Sequence, residues 1–225
     1  YLRNQRLVDS VEAVESVTVD WDVAAVAVRT REGIENIERK TARRVVTTGC
    51  GQGTVFGDMM QDITALRLPD AAAARIGQRT LQSLLETMRQ QDSIHRKAGS
   101  VHGCALFRGT DMLCFVEDVG RHNAIDTIAG WMWMHSDAPL GLGGDKVFYT
   151  TERLTSEMVT KAAQLGVPIV ISRNGVTQMG YELATQLGMT LFGRASQRHF
   201  ICYCGFDRFD AEPEPERPPV RVVSG

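Results

Sequence analysis

Apolar and polar positions alternate over residues 16–20, Ser16-Val17-Thr18-Val19-Asp20, and an apolar, β-branched run follows over residues 22–29. Such patterns predict two strands, with a turn at Arg31-Glu32-Gly33 and a third extended piece over residues 43–47. From Pro69 to Arg89 the positions Ala73, Ile76, Leu81, Leu84, Leu85 and Met88 recur at helical spacing, with Pro69 near the start where a missing N–H costs least. The Leu and Met stripe of that helix reads as core. Residues 104–107 and 112–116 predict paired strands across the Arg108-Gly109-Thr110-Asp111 turn. A helix over 123–134, a strand over 146–150, a helix over 156–165, a strand over 168–172, a helix over 178–187 and strands over 190–192 and 200–203 follow.

Strand and helix in alternation predict an α/β fold, a mixed sheet covered by helices and at least partly parallel. Ligands of such sheets gather at the carboxyl ends of the strands, which directs attention to the loops 117–122, 151–156, 172–177 and 193–199. These loops hold Arg121 and His122, Arg153 with Thr155 and Ser156, Ser172 and Arg173 with Asn174, and Arg194, Arg198 and His199. Each arginine alone reads more readily as a solvated surface charge. Their shared position after consecutive strands is what suggests a phosphate-bearing ligand, since Arg grips phosphate with a fork of donors and helix N-termini add backbone N–H groups. The densest of these stretches is Glu117-Asp118-Val119-Gly120-Arg121-His122, a strand-to-helix turn in which Asp118 is placed to orient Arg121 or His122. The alternative is an ordinary capped helix start. His102, at a strand entry, is a further candidate or a satisfied structural histidine.

Upstream, Thr47-Thr48-Gly49-Cys50-Gly51-Gln52-Gly53 sets one cysteine among glycines. Glycine lets a partner approach the sulfur closely, as a thiol that hands over a group requires, although a cysteine buried in a turn fits the same letters. Arg43 and Arg44 are local candidates for favouring its thiolate.

Composition narrows the class. The 225 residues can bury a sizeable core, and 25 Lys plus Arg against 27 Asp plus Glu give a net charge of −2, with no general attraction to nucleic acid. No apolar stretch approaches the roughly 20 residues of a membrane span and no secretory pattern opens the chain, so a cytoplasmic protein is expected. Five cysteines, Cys50, Cys104, Cys114, Cys202 and Cys204, show no disulfide-framework spacing, and the Cys202-Tyr203-Cys204 spacing does not match a structural zinc site; reduced thiols and no metal are expected.

Several ordered motifs together resemble the FdhD family of formate dehydrogenase accessory sulfurtransferases: Thr48-Gly49-Cys50-Gly51; Glu117 to His122 with Ala124 and Asp126; Ser156-Glu157-Met158-Val159 with Lys161-Ala162-Ala163; and Glu182-Leu183-Ala184 running to Met189-Thr190-Leu191-Phe192-Gly193. The resemblance implies a cytidine deaminase-like three-layer architecture with a small β-rich N-terminal lobe. It divides the chain into that lobe over 1–57, ending in the Cys50 loop, a cofactor-binding domain over 58–209, and a Pro-rich, extended or disordered tail over 210–225. An upstream region common in the family is expected to be missing.

The same resemblance implies a sulfur carrier. A cysteine desulfurase loads Cys50 as a persulfide, and the sulfur passes to the bis-guanine-dinucleotide form of the molybdenum cofactor before insertion into formate dehydrogenase. The cofactor-binding segment corresponds to Arg194-Ala195-Ser196-Gln197-Arg198-His199. Two departures stand out: Arg194 and His199 occupy positions where an aromatic and an Arg are usual, and Cys50-Gly51-Gln52-Gly53 lacks the second cysteine of the Cys-x-x-Cys that many relatives carry. A cofactor-binding chaperone without sulfur transfer is the alternative. A deaminase is not indicated, because neither its His or Cys before Glu nor its Pro-Cys-x-x-Cys occurs. Trp131, Met132, Trp133 and Met134 close a helix with more apolar surface than one face buries, and suggest a homodimer.

Overall fold

A computed structural model describes residues 1–3, 7–38, 44–47, 53–56, 66–135, 143–197 and 199–212. Two antiparallel hairpins come first: β1 (Val14–Asp20) with β2 (Ala25–Thr30), and β3 (Arg44–Thr47) with β4 (Gly53–Phe56). Then follow β5 (Ile76–Gly77), α1 (Gln78–Gln90), α2 (Ile94–Ala98), β6 (His102–Arg108), β7 (Asp111–Asp118), α3 (Arg121–Met134), β8 (Lys146–Thr150), α4 (Ser156–Gln164), β9 (Ile169–Ser172), α5 (Gln178–Gln186), β10 (Thr190–Ser196), β11 (His199–Cys204) and β12 (Phe209–Asp210).

Six of these strands form the central sheet in the order β11-β10-β9-β8-β6-β7. The strands β8, β9 and β10 are mutually parallel, while β6 and β11 run against their neighbours, so the sheet is mixed. Both faces are covered, which is why the central strands read as continuous apolar runs rather than alternating ones. Cys104, Leu106, Phe148, Val170 and Leu191 point into a core shared with α3, α4 and α5. Ala105, Phe107, Val147, Tyr149, Ile169, Ile171 and Phe192 point the other way, onto Leu81, Leu84 and Leu85 of α1. The result is the expected three-layer α/β arrangement, and no described helix is long and apolar enough to cross a membrane.

Residues two apart in a regular strand share a face, yet Cys202 packs on the α1 side and Cys204 in the opposite core. The cause is an irregular register between β10 and β11, where Leu191 pairs with Cys204 but Phe192 with Cys202. The apolar end of α3 is also less bare than its letters suggest. Met132 is buried, and Trp131 packs on the core and stacks on His135 with ring centroids 4.7 Å apart, leaving Met134 as the one well-exposed side chain of the four.

One predicted element starts in a different place. The helix expected from Pro69 begins only at Gln78, because residues 70–73 close a turn, with Ala73 N–H donating to Asp70 Oδ1 at 2.9 Å, and because Ile76 and Gly77 pair with Phe209 and Asp210 as a short parallel ladder. Arg208 locks this arrangement. Its buried guanidinium donates to the carbonyls of Pro69, Asp70 (2.6 Å) and Ala74 (3.2 Å), groups that a helix from Pro69 would otherwise have satisfied, and to that of Gly188 (3.1 Å) in the turn before β10. Truncation as Arg208→Ala strands several buried acceptors and is expected to cost about 3 kcal/mol, a fall in Tm of roughly 6–12 °C measured by thermal circular dichroism. An unchanged Tm would remove Arg208 from this role.

Candidate functional site

The sheet brings the ends of its strands to one edge. His102 at the start of β6 pairs with Asp118 at the end of β7, Cys104 pairs with Thr150 at the end of β8, Thr150 with Ser172 at the end of β9, and Ser196 at the end of β10 with His199 at the start of β11. All four loops singled out in the sequence therefore emerge on the same side, at the carboxyl ends of the parallel strands.

At the β7 end, the acid pair does local work. Glu117 accepts hydrogen bonds from Ser93 Oγ (2.7 Å) and from the N–H groups of Ile94 and His95 (both 2.8 Å), capping α2. Asp118 accepts from Gly120 N–H (2.7 Å) and Asn123 Nδ2 (3.1 Å), which corrects the expectation that it orients Arg121 or His122. The carboxylate that faces those two side chains belongs to Glu157, in the first turn of α4: its Oε2 lies 3.3 Å from His122 Nε2 and 4.0 Å from Arg121 Nη2. Neither ring nitrogen of His122 makes an aligned hydrogen bond, nor does Arg121 Nε, although all three atoms are shielded from solvent. Deeper between α3 and α4, Lys161 Nζ lies 2.6 Å from Asp126 Oδ1, a nearly fully buried ion pair. Burial, together with the positive charges of Lys161 and Arg121, pushes the His122 pKa below its ordinary 6.5 against the opposing pull of Glu157.

The middle loops are knitted to one another. His102 Nδ1 lies 2.5 Å from Glu152 Oε1, and Thr151 Oγ1 accepts from Gly103 N–H at 3.0 Å. Ser172 is fully buried; its hydroxyl donates to the Glu152 carbonyl and accepts from Asn174 N–H at 2.9 Å, so it organises the loop from inside. Asn174 in turn binds the Thr151 carbonyl through Nδ2 (2.6 Å) and receives Arg194 N–H on its own carbonyl (2.8 Å). Ser156 opens α4 behind its N-cap Thr155. Arg153, Arg173 and Arg194 all stand exposed at this edge, free to turn toward a ligand.

The last loop divides. The Ala195 side chain lies in the core under α1 and is a packing residue, whereas Ser196, Gln197 and His199 are exposed. Gln197 and His199 line a 720 Å³ groove whose other wall is the polar side of α1, Arg79, Gln82, Ser83, Glu86 and Arg89. This groove is on the α1 side of the sheet. Arg121 and His122 are on the α3 side and follow β7, five strand positions from β11, about 24 Å. The structure therefore spreads the candidate residues along the edge, with one station at Arg121 and His122, another at the groove beside His199, and Arg153, Arg173 and Arg194 between them, rather than in one pocket. Cys50 and Arg198 lie outside the described residues; in the sequence Cys50 falls between Thr47 and Gly53, the pair that ends the β3–β4 ladder.

A family model described as the FdhD/NarQ family matches residues 1–210. The chain belongs to that family. Among family relatives, the "Sulfur carrier protein FdhD" of Wolinella succinogenes is 29% identical over 212 residues, covering 93% of this chain and 71% of the relative. The protein of the same name from Streptomyces coelicolor is 28% identical over 214 residues, 92% and 74% of the two chains. A crystal structure described as a formate dehydrogenase accessory protein from Desulfotalea psychrophila superposes with a TM-score of 0.68 at 21% identity, covering 92% of this chain and 76% of that one, and shares the fold.

For this FdhD/NarQ chain, reasoning from the sequence passed over the role of Glu157 and the polar row on α1. The latter carried a signal, since residues 79, 82, 83, 86 and 89 follow helical spacing opposite the Leu stripe. Glu157 stood inside the Ser156-Glu157-Met158-Val159 motif, but nothing in its spacing paired it with His122, because its partners come from another helix. The depressed His122 pKa has a measurable consequence. Below pH 6.5 the unfolded chain binds a proton at this histidine that the folded chain resists, so folding stability is undiminished by it above that pH and falls as the pH drops. Urea unfolding from pH 7.5 to 5 should show this acid loss, and His122→Gln should flatten that slope; an unaltered slope would contradict the assignment.

Proposed function

We propose that the chain is a sulfur carrier in the maturation of a formate dehydrogenase. A cysteine desulfurase loads Cys50 as a persulfide by thiol exchange, the bis-guanine-dinucleotide form of the molybdenum cofactor is the cargo that docks at the carboxyl edge of the sheet, and the outer sulfur passes to the cargo's metal, which supplies the two electrons that make it sulfide while Cys50 leaves as its thiolate, before the cofactor enters the dehydrogenase. The names of the curated relatives support the sulfur-carrier part.

The observation that carries the reading for this chain is the state of its other thiols. Burial raises the pKa of Cys104 to about 12 and of Cys202 to about 11, and raises those of Cys114 and Cys204 as well. Only the thiolate is a nucleophile, so burial disfavours the reactive form of these four, which supports Cys50 as the carrier. One thiolate suffices for each exchange, so the lack of a Cys-x-x-Cys does not prevent the relay.

Support for the docking half comes from the edge itself. Arg153 and Arg173 follow β8 and β9 and Arg194 lies near the end of β10, and two further stations, Arg121 with His122 and the groove beside His199, flank them. An extended ligand with a pyrophosphate and a guanine at each end matches such a row of separated stations better than a compact one.

Intact-mass spectrometry after incubation with a cysteine desulfurase and cysteine tests the carrier. The expected result is a gain of roughly 32 Da per sulfur that is absent in Cys50→Ala. No gain in the wild type, with guanine-nucleotide binding retained, would replace the carrier with a cofactor chaperone, the reading that the single cysteine in 50–53 favours.

A further inference from the structure

Between α3 and α4 the structure holds a charged cluster, the Arg121 and His122 station, whose chemistry the docking reading leaves unspecified. Its centre is His122, 8% exposed, with both ring nitrogens lacking a hydrogen-bond partner. Arg121 Nε is shielded and unsatisfied beside it. A buried polar group without a partner costs about 1–3 kcal/mol, so three such atoms at one point mark a place built for something else to complete.

Two further features say what completes it. First, α3 begins at Gly120 with no side-chain cap, so the first-turn N–H groups adjoining Arg121 and His122 are open to an acceptor. Second, one acceptor is already there: Glu157 Oε2 sits 3.3 Å from His122 and 4.0 Å from Arg121, is poorly aligned with both, and belongs to the more exposed side chain. A carboxylate so placed occupies the position of an anion without making the bonds an anion could make there. The charges facing His122 are Arg121 and Asp126 from its own helix and Glu157 and Lys161 from α4. Because Lys161 is tied to Asp126 at 2.6 Å, Glu157 is the group left to move.

We infer that Arg121, His122 and the first turn of α3 form a subsite for one phosphate of an incoming ligand, which displaces Glu157 and is captured together with a proton on the His122 imidazole. The inference rests on the docking reading above and specifies its chemistry. The proton comes from solvent: unliganded His122 is neutral, since burial and the neighbouring cations disfavour its charged form, and the arriving phosphate reverses that balance. Binding and proton uptake are then linked, and affinity rises by up to tenfold for each unit the pH falls between the free and liganded pKa values.

The test is isothermal titration calorimetry with P1,P2-di(guanosine) pyrophosphate, whose phosphates do not titrate near neutrality, in two buffers of different ionisation heat at several pH values. The wild type should take up a fraction of one proton per site near pH 7. His122→Gln should bind more weakly with no uptake, and Glu157→Gln, which removes the resident anion, should bind several-fold more tightly, with circular dichroism confirming that each variant is folded. Binding without proton uptake in the wild type, or uptake that persists in His122→Gln, would overturn the inference while leaving the docking reading in place. Unchanged or weaker binding by Glu157→Gln would overturn the displacement. No binding by the wild type would overturn both.

Discussion

The parallel register of β8, β9 and β10 is the constraint on which the rest of the molecule depends. Val147 is level with Ile169 and Thr150 with Ser172, while Ile169 is level with Thr190. Because both faces of these strands are buried, a slip by one residue would exchange the side chains of the α1 core with those of the α3–α5 core. The register therefore cannot drift. With it fixed, the loops after the three strands are delivered side by side, and their backbones tie to one another through Ser172 and Asn174.

Onto that frame the protein places charges of two kinds. Arg153, Arg173 and Arg194 are exposed and cost little in the free protein, because water solvates them. Arg121, His122, Glu157, Lys161 and Asp126 are withdrawn from water between two helices. A buried ion pair earns little net stability after desolvation. Its more evident effect here is geometric, since Lys161 and Asp126 fix the spacing of α3 and α4, and with it the positions at which Arg121, His122 and Glu157 meet at the sheet edge.

The α1 side is organised differently. Phe192, Phe200 and Phe209 meet edge to face with centroids 5.3–5.6 Å apart, carrying β10, β11 and β12 against the start of α1. Arg208 then satisfies the carbonyls of a segment that would otherwise have no acceptor-donor balance. The polar wall of the groove beside His199 is thus held by contacts among residues far apart in the chain.

By itself the sequence determined the element order, the mixed α/β class and the four loops at which polar chemistry collects. These follow from local periodicity: the apolar runs at 146–150 and 168–172 became β8 and β9, and the helix stripes at 156–165 and 178–187 became α4 and α5 within a residue or two. The family motifs at Glu117 to His122 and at Ser156 to Lys161 were equally legible as letters. Only the tertiary structure decided how they are used. The start of α1 was set by Arg208, more than a hundred residues away, and by a two-residue ladder with β12, neither of which leaves a periodic trace. The partner of His122 proved to be Glu157 rather than Asp118, because a side chain four residues distant on the same turn was spent on Gly120 and Asn123, while a helix neighbour brought its carboxylate within 3.3 Å. Spacing along a chain records which faces are apolar; which charges meet across two helices is recorded only in their packing.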